Sequence, residues 1–222
     1  MQKFETTGQI SAVVDIPAGR IQFIAADRSD TTVEVLPANA SKSRDVKAAG
    51  QIEVAYAGGV LRIEAPDARN QFFGPSGSVE VTVQLPAGSH IEAKAASADV
   101  RGVGRLGDVA FEGAHGSVKL DEATNVRITL AAGDITVGRL GGHAEITTTK
   151  GDIKITEAVS GKIVLSTQAG DVTVGAAQGV SASLDAGTTL GRINNALKNT
   201  EGKPELSIHA TTTVGDIDAR SL

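Results

Sequence analysis

Apolar and polar residues alternate in short bursts that return about every eighteen residues through the second half of the chain. One set reads Ile135-Thr136-Val137, Ile153-Lys154-Ile155 and Val172-Thr173-Val174, each directly after a Gly-Asp pair at 133–134, 151–152 and 170–171. Alternation of period two marks a strand with one buried and one open face. Weaker copies stand at Gly116-Ser117-Val118, Gly191-Arg192-Ile193 and Gly215-Asp216-Ile217, so the residue after Gly falls at 117, 134, 152, 171, 192 and 216. A second set of bursts precedes these markers: Val109 and Phe111, Val126 and Ile128, Ala144 and Ile146, Ile163 and Leu165. Between them Ala110, Arg127, Glu145 and Val164 are expected to face outward. The pattern predicts a solenoid of about six turns with two strands per turn, like strands stacking in parallel about 4.8 Å apart.

In the last two turns Leu184 and Ile208 stand eight residues before the marker, whereas Ile146 and Leu165 stand six before it. This predicts a two-residue insertion at that corner. The polar stretch 194–204 reads as a protruding loop. It is either a binding element or a surface insertion, and it carries Lys198 and Lys203 as candidate contacts.

The first 95 residues show strands without the eighteen-residue beat, over 10–16, 20–25, 32–36, 52–56, 60–64, 78–85 and 90–94. Pro17-Ala18-Gly19 and Pro86-Ala87-Gly88 each sit between two such strands, as turns do. The expected fold is therefore all-β. A mostly antiparallel N-terminal region, 1–95, leads into and covers a parallel β-solenoid, 96–222, because an open rung offers unpaired backbone groups to any strand.

Composition sharpens this picture. The chain has 222 residues, 41% of them hydrophobic but only 3% aromatic. Beyond Phe111 the core must be built from Ile, Val, Leu, Ala and Thr, which suits a narrow coil. A net charge of −5 without a basic stripe argues against nucleic acid as a partner. The absence of cysteine removes disulfides and thiolate chemistry. The start, Met1 to Gly8, has no apolar stretch of the signal-peptide kind, and no run is long enough to span a membrane, so the expected location is the cytoplasm.

The two Ile/Leu-Pro-Ala-Gly turns and the Gly-Asp-Ile/Val phrases at 133–137, 151–155, 170–174 and 215–217 together resemble the bacterial β-strand-repeat family known as "putative adhesins", a domain of unknown function. The resemblance covers nearly the whole chain. It implies a β-solenoid with no family catalytic residues to carry over.

Asp134, Asp152 and Asp171 are expected to stack at one corner. Stacked carboxylates repel, so either each accepts hydrogen bonds from its own turn or cations lie between them. Calcium rolls need a Gly-Gly-x-Gly-x-Asp phrase at each half turn, and here His143 and Gly161 stand there. Glycosidic chemistry needs two carboxylates across a cleft, with aromatic platforms that this coil lacks. His90, His115, His143 and His209 show no metal-ligand spacing. Thr148 and Thr167 point inward by the alternation, against an ice-binding array. Phe72 and Phe73, between turn formers, either plug the coil or anchor a partner.

These readings favour a non-catalytic structural or interaction protein without a cofactor. Its partner is an unidentified protein or a second copy reached through the rung near Gly215 to Leu222. The alternative is a calcium or ligand sensor at Asp134, Asp152 and Asp171, and the weakest reading is a carbohydrate-active enzyme.

Overall fold

The computed structural model describes residues 1–66, 77–199 and 204–222. In chain order its elements are β1 (Gln2–Glu5), β2 (Ser11–Ala26), β3 (Asp30–Pro37), α1 (Ser43–Gln51), β4 (Glu53–Ala57), β5 (Val60–Glu64), β6 (Val79–Pro86), β7 (His90–His115), β8 (Val118–Ala132), β9 (Ile135–Leu140), β10 (Ala144–Lys150), β11 (Ile153–Ala158), β12 (Gly161–Ser166), β13 (Val172–Ala176), β14 (Ala182–Leu190), β15 (Ile193–Ala196), β16 (Leu206–Val214) and β17 (Ile217–Ser221). The fold is the expected all-β coil.

Two columns of parallel strands build it. The first runs through β2, β7, β8, β10 and β12, with Val109, Val126, Ala144 and Ile163 in one register row. The second runs through β7, β8, β9, β11 and β13, with Val118, Ile135, Ile153 and Val172 aligned. Long strands such as β7, of 26 residues, bend at a corner and serve both columns. Every predicted inward residue of 109–174 is buried, Ile135, Val137, Ile153 and Ile155 completely. Each such side chain contributes roughly 1.5–3 kcal/mol, and stacking joins them into one core.

The coil begins earlier than the repeat phrase does. Residues 11–16 and 18–24 of β2 pair in parallel with 90–95 and 97–103 of β7, so β2 already forms a full rung. The expected boundary between 95 and 96 thus falls inside β7. Beyond β2 lie β5 and β6, still parallel to it. The antiparallel layer then covers this end: β4 on β5, β3 on β6, and β1 on β3. Gly58 and Gly59, with φ of +58° and +80°, make the two-residue β4–β5 turn, a conformation that side chains resist. Helix α1, not foreseen, packs on β3 and β6. Its buried Asp45 accepts the backbone N–H of Ser78 at 3.0 Å.

The other end departs from chain order. β12 and β13 do not pair with β14 and β15, the next strands in sequence. They pair with β16 and β17, and β14 and β15 pair in turn on the far side of those. The rung 206–221 is therefore inserted between 161–176 and 182–196. The rung near Gly215 to Leu222, expected to be the open end, lies inside the stack, and 182–196 is the end.

The register also removes the expected two-residue insertion. Ile163 aligns with Ile208 and Leu184, while Leu165 aligns with Ala210 and Ala186. The six-residue position is kept but filled by alanine, a weaker apolar marker than the neighbouring Leu184 and Ile208. The added chain length lies instead between β13 and β14 and between β15 and β16.

Candidate functional site

The Gly-Asp corner is a ladder running from rung to rung. Asp152 N–H donates to Asp134 Oδ1 at 3.0 Å, Asp171 N–H to Asp152 Oδ1 at 2.8 Å, and Asp216 N–H to Asp171 Oδ1 at 2.8 Å. Each carboxylate therefore satisfies an amide of the next rung, not of its own turn. Arg192 ends the ladder: its backbone N–H donates to Asp216 Oδ1 at 2.9 Å and its Nη2 to Oδ2 at 2.8 Å. The Arg192 amide, followed by its guanidinium, holds the Asp216 carboxyl below the usual carboxylate range. At the other end the hydroxyl and amide of Ser117 act likewise on Asp99.

Glycine lets these corners nest. At Gly133, Gly151, Gly170 and Gly215 φ lies between +140° and +154°, and an added Cβ would collide with the carbonyl oxygen of the corner beneath. Inside the same corner, the hydroxyl of Thr167 donates to Gly151 O at 3.1 Å and that of Thr212 to Gly170 O at 3.0 Å. The inward Thr positions, buried as expected, thus seal the corner from within.

The opposite edge of the first column carries a second ladder. His90, Asp108, Asn125, His143 and Lys162 stand one above another. Asp108 N–H donates to His90 Nδ1 at 3.2 Å, Asn125 Nδ2 to Asp108 Oδ1 at 2.7 Å, His143 N–H to Asn125 Oδ1 at 2.8 Å, and Lys162 N–H to His143 Nδ1 at 3.0 Å. An imidazole that accepts on Nδ1 carries its proton on Nε2, which leaves that N–H as a donor. Beside this row Arg127 Nε lies 3.4 Å from Glu145 Oε2. Together these residues line an open groove of about 710 Å³ whose sides include Ala110 and Val164.

This groove was not foreseen from the histidines taken singly. A signal was present: positions 90, 108, 125, 143 and 162 are separated by 18, 17, 18 and 19, the beat of the repeat itself.

Of the sequence-derived candidates, Asp134, Asp152 and Asp171 are brought together, with Oδ1 of each accepting an amide. Among the described residues no group of three or more His, Cys, Asp or Glu is placed to hold a metal ion. Lys198 closes the end rung through its backbone, its N–H donating to Ser221 Oγ at 2.9 Å. Phe72, Phe73 and Lys203 lie outside the described residues. No helix among the described residues is long and apolar enough to cross a membrane.

A nested parallel coil with acidic corners and a covered N-terminal end defines a class of β-solenoid. Residues 13–221 match the Toastrack DUF4097 family, and the chain belongs to it. No curated protein matches the sequence. Among solved structures, a "putative adhesin" from Bacteroides fragilis is 17% identical with a TM-score of 0.59, covering 98% of this chain and 95% of its own. A "putative adhesin" from Parabacteroides distasonis is 14% identical with a TM-score of 0.50 over the same shares. These likenesses extend the fold assignment to the whole chain.

Proposed function

We propose that this protein is a non-catalytic interaction module and that the groove along the first column is its recognition surface. The observation that carries this reading is the use of the groove's polar groups. Asp108 and Glu145 are engaged with Asn125 and Arg127, and each ladder side chain holds the next rung in place. General acid–base chemistry needs a titratable pair free to exchange protons at one bond. A ladder of this kind offers a rigid, preorganised array of donors and small apolar patches, which favours binding over turnover. The adhesin-named structures that share the fold support the same direction.

The test is site-specific crosslinking in cells. A photoreactive side chain replaces Ala110 or Val164 in the groove, or Thr136 on the second column. A discrete adduct from the first two positions and none from the third is expected. Equal labelling of all three would remove the groove from consideration.

A further inference from the structure

We propose that the end rung, β14 with β15, is a docking edge for a second copy of this chain, and that two coils join end to end about a two-fold axis. This surface is separate from the groove, and neither proposal depends on the other.

The rung has strand partners on one side only, and on its other side Lys198 O accepts the Ala182 amide at the start of β14. Among the described residues β14 pairs with β16 and β15 with β17, and neither has a strand beyond it. It exposes apolar side chains. Ile193 occupies the inward position held lower down by Ile135, Ile153, Val172 and Ile217, which are at most 1% exposed, yet Ile193 itself is 45% exposed. Leu190 beside it is 65% exposed, and all four residues of β15 are exposed. An edge with core side chains beside unpaired amides and carbonyls is a template for strand addition.

Three observations select the occupant. First, the rung presents two strand edges with apolar side chains between them, and a single extended peptide covers one edge. A second coil end of the same width covers both. Second, the other end of the coil carries β1, β3, β4 and α1 beyond its last parallel rung, so it does not present the same pair of edges and apolar side chains. Contact between like ends closes at two copies. Third, the rung's strands and corner carry few charges. Arg192 is held by Asp216, and Ser183, Thr188, Thr189, Asn194 and Asn195 are neutral, which leaves Asp185, with an Oδ2 3.0 Å from His209 Nδ1, as the acidic side chain of the two strands. An antiparallel self-pairing that keeps the two Asp185 apart therefore opposes no like charges. A two-fold relation brings the edges together antiparallel.

Sedimentation of the full chain over a wide concentration range gives the first test. The mass is expected to rise from one chain to two and to stop there. Ile193→Lys and Leu190→Lys are expected to weaken the dimer by about tenfold or more. A retained melting temperature for the isolated monomer would show that folding is intact, since both side chains are exposed. Because the chain has no cysteine, a single Asn195→Cys supplies an independent probe. It is expected to give a disulfide-linked dimer on mild oxidation, whereas Thr136→Cys on the flank stays monomeric. A constant single-chain mass up to about 1 mM, growth beyond two copies, or equal linkage through both cysteines would each overturn the proposal.

Discussion

The guanidinium of Arg192 grips the carboxylate of Asp216 from the rung above it, although Arg192 comes 24 residues earlier in the chain. This contact marks the point where order along the chain and order in space part. It also explains the motif: Asp134, Asp152, Asp171 and Asp216 each accept an amide from the rung above, whereas position 192 has no rung above it and carries a cation that closes the ladder.

Removing the C-terminal rung should therefore release two rungs. In a chain ending at residue 204, β14 and β15 lose β16 and β17, the strands paired with them among the described residues. Amide exchange across 182–196 is expected to become fast while 135–158 stays protected. The point variant Ile217→Lys, at a site 1% exposed between Val172 and Ile193, should act in the same direction. Persisting protection in 182–196 of the truncated chain would contradict the strand order.

Gly151→Ala should be far more disruptive than an exposed glycine substitution. The new methyl would meet the carbonyl oxygen of Gly133, and φ of +140° is unfavourable for any side chain. A loss of about 1–3 kcal/mol from the backbone conformation alone should appear as a lower urea midpoint. Gly187→Ala, with open space around it, should change little.

Within the corner ladder, Asp152→Ala leaves the Asp171 N–H without its acceptor and should cost about 1–2 kcal/mol. Asp152→Asn keeps a carbonyl oxygen there and should cost less. Since these carboxylates bind amides, added calcium is expected to leave the melting temperature unchanged. A calcium-dependent rise lost in the triple variant D134N/D152N/D171N would revive an ion site.

Acid should loosen the ends of the ladder. Asp216 and Asp99 are held below the ordinary carboxylate range by Arg192 and Ser117. A carboxyl whose folded pKa is depressed stabilises the fold above its unfolded value, near 4, and that stabilisation fades as pH falls through the lower folded value. Denaturant titrations from about pH 5 to about pH 2 should show a shallower decline in Asp216→Asn than in the native chain. Identical slopes would remove Asp216 from the acid response.

The coil was legible because Ile and Val at period two, locked to a Gly-Asp corner, admit only one face inward. Its N-terminal start was less so. Residues 11–24 form the same kind of rung, but Gly19-Arg20 stands at the corner in place of the Gly-Asp phrase. The exchange of the last two rungs was hidden for a different reason. Parallel stacking specifies which face is buried and which residues align, and both terminal rungs satisfy that pattern equally, so neighbour choice depends on contacts across 24 or 45 residues, such as Asp216 with Arg192 and with Asp171. The groove was not legible because its members, His90 to Lys162, are of four residue types, histidine occurring twice, and are related only by spacing.

The strand exchange also sets the timetable of synthesis. A sequentially stacked solenoid can add each rung as it leaves the ribosome, since the surface it needs already exists. Here residues 182–196 emerge before their docking surface, and that surface is supplied only by 206–221. Completion must wait for residues 206–221, and a product stopped before them leaves 182–196 dangling for the proteases that cut unfolded termini. The end rung thus closes only after translation has passed residue 221.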